Sequence, residues 1–423
     1  MAKIAKIIAG QILDSRGNPT IETKVILDNG IEAYDSVPSG ASKGSMEAAE
    51  LRDNDPKVYD GLGVLTAVRN VNNIIAPKLI GLDPQNQIDI DHLMKSLDGT
   101  PHKTKLGANS ILSVSMAVAR ASAYLNRLPL YLYIKKLAES LSMPIPNSKR
   151  IPIPLFNEIN GGKHGAGNLN FQEFLIIPAS NKLYQDGLRL ADEIYHKVKE
   201  ILVFRNAVIS VGDEGGFAPN LSTNIDALEA IVEAINSTPY HLGVDVFLGL
   251  DVAATTFFIR GRYQLIDRAA PYTPDEFIEY LSNLQKEYKL LLLEDPFAEN
   301  EWDSWIKLTQ RLGEEIFVVG DDFLVTDPER LKSAIDKKAC NSILVKLNQI
   351  GSLTETLEVI KIARQADFKT IISHRSGETL DTFIADLAVG VSSEYVKFGA
   401  PARGERVAKY NRLLEIDKEL NPK

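Results

Sequence analysis

From about residue 200 onward the chain repeats one unit: a short apolar run, an ionisable residue at its end, then an amphipathic stretch. The runs are "NAVISV", "DVFLGL", "KLLLLE", "IFVVG", "SILVK", "KTIIS" and "EYVKF". Stretches such as "DPERLKSAIDKK" and "TETLEVIKIARQAD" separate them. Several runs lack apolar–polar alternation, as strands of a parallel sheet do when both faces are buried. The later runs recur roughly every 25 residues, the spacing of β/α units that close into a barrel.

The run ends carry Glu214, Asp251, Glu294, Asp321, Lys346, His374 with Arg375 and Ser376, and Lys397. In a barrel the carboxyl ends of the strands converge on one mouth. One acid in such a place could cap a helix. A whole series at matching points is poorly explained by capping. Asp295 and Asp322 stand one residue nearer the following helices and are the better cap candidates, which frees Glu294 and Asp321.

Asp251, Glu294 and Asp321 in one mouth would repel one another without a cation. With six histidines and one cysteine the chain offers little for zinc. An oxygen-only triad suits Mg²⁺ or Mn²⁺. Lys346 interrupts the apolar run of "NSILVKLNQIG", and burying an unpaired ammonium is costly. Near Lys397 and a dication, its pKa is expected to fall toward neutrality, making it a usable base. Glu214 lies in the glycine-rich "VGDEGGFAPN" and could serve as general acid from the opposite side. In "SHRSGET", Arg375 and Ser376 could clamp a phosphate or carboxylate, whereas His374 could equally be a core histidine. Together these residues suit removal of a weakly acidic proton beside a carboxylate.

The first part of the chain reads differently. "TIETKVILDNGIEAYDSV" alternates around Asn29-Gly30, a hairpin signal. Ser45–Arg52, "GVLTAVRNVNNIIAPKL" and "GANSILSVSMAVARASAYLNR" have helical spacing. "VPSGASKG" supplies a small-residue loop, Ser39–Gly44, suited to a lid. "SMPIPNSKRIPIP" spaces its prolines for an extended crossing, which puts a domain boundary near 140–150. The net charge of -9 and the lack of a basic stripe argue against nucleic acid as the main partner. No apolar run is long enough to span a membrane, and a single cysteine points to the cytosol.

The motifs "ILDSRGNPTIE", "VPSGASKG", "EAAELRDND", "NGGKH", "FQEF", "VGDEGGFAPN", "LEDPFAENEWDSW", "VGDDF", "VKLNQIGSLTET", "SHRSGETLDTFIADLAVG" and "APARGERVAKYN" resemble, in order, those of bacterial-type enolases. The resemblance spans nearly the whole chain. It implies an α/β fold: an eight-stranded TIM-like β/α barrel over 141–423 behind an α+β lid domain of a small antiparallel sheet and helices over 1–140. It implies reversible dehydration of 2-phosphoglycerate to phosphoenolpyruvate, in glycolysis and gluconeogenesis, with two Mg²⁺ per site, the second arriving with substrate. Asp251, Glu294 and Asp321 would hold the first ion and Ser39 would complete the second site. Lys346 would be the base and Glu214 the acid, supported by Glu173. His164, Gln172, His374, Arg375, Ser376 and Lys397 would bind substrate, Lys397 through its carboxylate.

The resemblance further implies a homodimer or an octamer of four dimers in the cytoplasm. It admits second roles with an RNA-degradation assembly, or at the cell surface or secreted without a signal peptide, binding host plasminogen. A superfamily relative acting on another carboxylate acid is the competing reading, against which the phosphate clamp argues. The chain departs from the family pattern at Lys43, Glu158, Leu380 and Gly404, none of them a proposed catalytic position. Lys43 in the lid is expected to be solvated.

Overall fold

The computed structural model describes residues 2–40, 46–146, 149–165 and 168–422. Lys43 and most of the Ser39–Gly44 loop lie outside them. The chain begins with a three-stranded antiparallel sheet of β1 (Ile4–Leu13), β2 (Pro19–Leu27) and β3 (Glu32–Ser36). The β2–β3 turn falls at Asn29-Gly30, as the alternation requires, and Gly30 takes φ +86° there. Short helical segments follow, among them Leu65–Asn70, Val71–Ile75 and Ala76–Leu79, and then three longer helices: α1 (Gln87–Asp98), α2 (Ala108–Leu125) and α3 (Leu130–Ser140). Helix α2 is buried along nearly its whole length and lies across β2 and β3.

Eight strands then close a barrel, each paired with the next in sequence. They are β4 (Ile153–Asn160), β5 (Glu173–Pro178), β6 (Val246–Asp251), β7 (Leu290–Glu294), β8 (Phe317–Gly320), β9 (Ser342–Val345), β10 (Lys369–Ser373) and β11 (Tyr395–Gly399). Leu155, Leu175, Ile177, Leu292, Val319, Leu344, Ile371 and Tyr395 fill the interior. Alternate residues such as Phe156, Phe174, Val318 and Val396 join the core beneath the helices. Both faces are dry, which explains why the runs showed no alternation.

Three expectations fail here. The sheet is not wholly parallel, because β5 runs antiparallel to both β4 and β6. "NAVISV" is no barrel strand. Its Val208, Ile209 and Val211 are exposed, and Val211 makes only an isolated bridge to Phe217. Met46–Arg52 is not helical. The amides of Ala48, Ala49 and Leu51 go to the Gln349 carbonyl, the His102 carbonyl and Asn109 Oδ1, so no helical ladder can form.

The amino-terminal domain grips the barrel at helix α4 (Leu353–Gln365). Asp91 Oδ2 accepts the Thr354 amide at 3.0 Å, and Ser115 Oγ accepts the Leu353 amide at 3.0 Å. Both amides are among the unsatisfied donors of a helix start, where negative charge is favoured. A second tie is Arg120, which bonds Asp35 at 2.8 Å and Asp381 at 2.9 Å.

Candidate active site

The reversed strand β5 is what completes the site. Because it runs backward, its first residue, Glu173, lies at the mouth where the other strands end. Register pairs Glu173 with Asp251, the last residue of β6, and Asp251 with Glu294, the last residue of β7. Three carboxylates thus form one row across three neighbouring strands. Asp321, Lys346 and His374 each follow a strand end directly, and Lys397 lies within β11 opposite Ser373.

Apart from Glu294 and Ser39, every site residue named from the sequence lines one cavity of about 10 Å³. Glu294 lies behind it, bonded to Lys397. Ser39 turns away. Its hydroxyl donates to Asp14 Oδ2 at 2.5 Å, and its backbone is paired with Gly377. A roomier cavity of about 580 Å³ between the amino-terminal domain and the barrel holds none of the site residues.

Both lysines of the mouth are paired with carboxylates. Lys397 Nζ lies 2.8 Å from Glu294, 3.2 Å from Asp251 and 3.1 Å from Glu173. Burial alone would lower its pKa, but these carboxylates hold it well above the ordinary value. Lys346 Nζ lies 2.5 Å from Asp321 Oδ2, and that carboxylate likewise outweighs burial and raises it. With these partners both side chains are held as ammonium ions; the fall expected for Lys346 is that of a lysine with a dication beside it.

Around Glu214 the balance runs the other way. Burial would push its carboxyl up, but His164 at 3.4 Å and His374 at 3.6 Å hold it well below the usual range. His164, against its own desolvation, is pushed up to about 10 by Glu214 and Glu173. Burial holds His374 well below its ordinary value, and its Nδ1 faces Arg406 Nη1 at 2.7 Å. A neutral imidazole there accepts at Nδ1 and donates from Nε2 toward Glu214. Glu173 is raised to about 7, chiefly by burial and then by Glu214.

Neither expected cap acts as one. Both oxygens of Asp295 accept the amides of Asp321 and Asp322. The helix Pro328–Lys337 is capped instead by Asp327. Sequence reasoning also missed Glu47 and Gln349. Arg375 is forked on Glu47 at 3.0 and 3.3 Å, and Gln349 Nε2 bridges Glu47 and Asp321 at 3.2 Å each. No spacing could have revealed the first pair, whose members stand 328 residues apart.

The donor set suits a hard divalent cation. Glu173, Glu214, Asp251, Glu294 and Asp321 are all buried, against the ammonium groups of Lys346 and Lys397. The excess negative charge holds the Glu294 carboxyl well above its ordinary value, through burial first and Asp251 second. A cation bound by oxygen ligands would relieve it. Among the described residues, ligand atoms of Asp295, Asp321 and Asp322 already lie within 4.8 Å of one another, as do those of His164, Glu173 and Glu214. Asp251 and Glu294 belong to neither group, because Lys397 lies between them.

Residues 4–134 match the enolase N-terminal domain family, and residues 148–423 match the enolase C-terminal TIM barrel domain family. The chain belongs to the enolase family. This enolase-family chain gathers its ionisable residues at the carboxyl mouth of the barrel. Its membership makes it a lyase of the enolase superfamily, with acidic clusters able to take metal. Among the described residues no helix is long and apolar enough to cross a membrane.

Proposed function

We propose that the protein is a Mg²⁺-dependent phosphopyruvate hydratase, interconverting 2-phosphoglycerate and phosphoenolpyruvate. The observation that carries this reading is one cavity lined by Glu173, Asp251 and Asp321 together with Lys346 and Arg375, with Glu294 completing the carboxylate row behind it. Lys346 Nζ, in its neutral form, takes the proton from carbon 2 of the substrate. Glu214, protonated, gives its proton to the hydroxyl on carbon 3, which leaves as water while the carbon 2–carbon 3 double bond forms. The proton returns from Lys346 to Glu214 through solvent.

Each group must therefore leave its resting charge state. Asp321 favours the ammonium form of Lys346, so the base form requires that carboxylate to be engaged elsewhere. His164 and His374 favour ionised Glu214, so its acid form requires a change around them. Asp251, Glu294 and Asp321 would hold the cation, with Ser39 joining a second ion. Bound there, Mg²⁺ supplies positive charge against the negative charge that builds on the substrate carboxylate. Arg375 and Ser376 hold the phosphate, Lys397 the carboxylate, and His164 and Gln172 contact the remaining substrate.

The test is ultraviolet absorbance of the enol phosphate formed from 2-phosphoglycerate with Mg²⁺. The expected result is formation of product that stops on adding EDTA and resumes with excess Mg²⁺. No product under any divalent cation would sink the reading. Product from another carboxylate acid alone would favour a superfamily relative.

A further inference from the structure

We infer that Asn157 is a positioning residue for Glu214, its amide serving as a reversible hydrogen-bond partner that orients the carboxyl group in both protonation forms. The inference rests on the proposed acid role of Glu214. Asn157 lies in β4, fully buried, and its Nδ2 donates to Glu214 Oε2 at 3.3 Å. Its Oδ1 has no partner among the described residues. A primary amide carries a donor on one side and an acceptor on the other. It can donate to an ionised carboxylate or, after half a turn, accept from a protonated one. That half-turn breaks no other hydrogen bond among the described residues.

The other neighbours of Glu214 cannot take this part. His164 Nδ1, 3.4 Å from Oε1, is also 3.7 Å from Glu173. His374 Nε2, 3.6 Å from Oε2, belongs to a ring whose Nδ1 meets Arg406. His164 is an ionisable base shared with Glu173, and the His374 ring, held by Arg406, presents only its Nε2 hydrogen, whereas Asn157 is neutral and can either donate or accept. The loop bearing Glu214 is built against this amide. A Cβ on Gly216 would come within 2.8 Å of Asn157 Oδ1, so only glycine lets the loop sit that close. The loop is tied to β4 by the Phe217 amide to the Glu158 carbonyl and the Asn160 amide to the Phe217 carbonyl.

The two proton steps allow a selective test. Asn157→Leu keeps the approximate volume and removes the hydrogen bond. The assays are turnover of 2-phosphoglycerate, and exchange of its carbon 2 hydrogen with deuterated water. The expected result is kcat lower by about 10–100-fold, the range seen when an orienting hydrogen-bond partner is lost. KM and the exchange rate should stay within about threefold, since Lys346 removes that hydrogen without Glu214. Should Asn157→Leu fail to fold, by far-ultraviolet circular dichroism, Asn157→Ala replaces it. It leaves no donor to Glu214 and should show the same asymmetry. Equal loss of turnover and exchange, or no loss of either in a folded variant, overturns the inference. A wild-type protein with neither activity overturns the proposed function, and this inference with it.

Discussion

Lys397 Nζ lies 2.8 Å from Glu294 Oε2, at the centre of the three-carboxylate row. Two further acids, Asp251 and Glu173, stand within 3.2 Å of the same ammonium. Lys397 is therefore the internal counter-ion of the row. Lys397→Met should leave three buried carboxylates uncompensated and lower stability by about 3–5 kcal/mol in metal-free buffer. Mg²⁺ should recover more stability in this variant than in wild type. Urea denaturation with and without Mg²⁺ measures both, and a Mg²⁺ effect equal in the two proteins would contradict the counter-ion role.

Arg120 is the comparable ion in the contact between the amino-terminal domain and the barrel. It serves Asp35 from β3 and Asp381 from the barrel, and both carboxylates are at least largely buried. Arg120→Ala should cost about 3–5 kcal/mol, because it strands two acids that repel each other. The double variant Arg120→Ala with Asp381→Asn should recover part of that loss. Thermal unfolding of the three proteins checks it; a single variant as stable as wild type would remove the tie from the account.

Much of this was legible in the sequence because β6 to β11 are short and almost wholly buried, and β7 to β11 are regularly spaced. Each announces itself as an apolar run, and the residue just past it marks the mouth. The two strands that were missed have physical reasons. β4 begins among spaced prolines, with Pro154 inside it, and β5 runs backward and so breaks the repeat. "NAVISV" misled because apolar residues stand exposed there, outside any strand. The charge states of Lys346 and Lys397 could not be read either. They depend on which carboxylate touches each ammonium, and Lys397 is 103 residues from Glu294. Asn157 and Glu214, 57 residues apart, share no periodic signal at all.

Helix α4 offers a smaller test of how the amino-terminal domain is held on the barrel. Its first amide, from Leu353, is accepted by Ser115 Oγ of α2, which also accepts from Gln87 Nε2 at 3.3 Å. Ser115→Ala should cost about 1–2 kcal/mol, as loss of a helix-start acceptor does. Amide hydrogen exchange should speed up at Leu353 more than at Val359 in mid-helix. Unchanged protection at Leu353 would mean that the hydroxyl is dispensable.

Glu158 is an acid in an unfavourable environment. It is fully buried in β4, and neither carboxylate oxygen has a hydrogen-bond partner among the described residues. Desolvation first, and Asp192 second, hold its carboxyl well above the ordinary 4.5. The folded state therefore binds a proton that the unfolded chain releases. For such a group the stabilising contribution is complete below the unfolded pKa and is lost as pH rises through the folded one. Glu158→Val removes the ionisable group and should stabilise the protein by about 1–3 kcal/mol at neutral pH. The advantage of the variant should be smallest near pH 4.5 and grow as pH rises. Urea midpoints measured across that range decide it: a gap that stays constant, or narrows with rising pH, would mean that Glu158 is not buried as an unpaired acid.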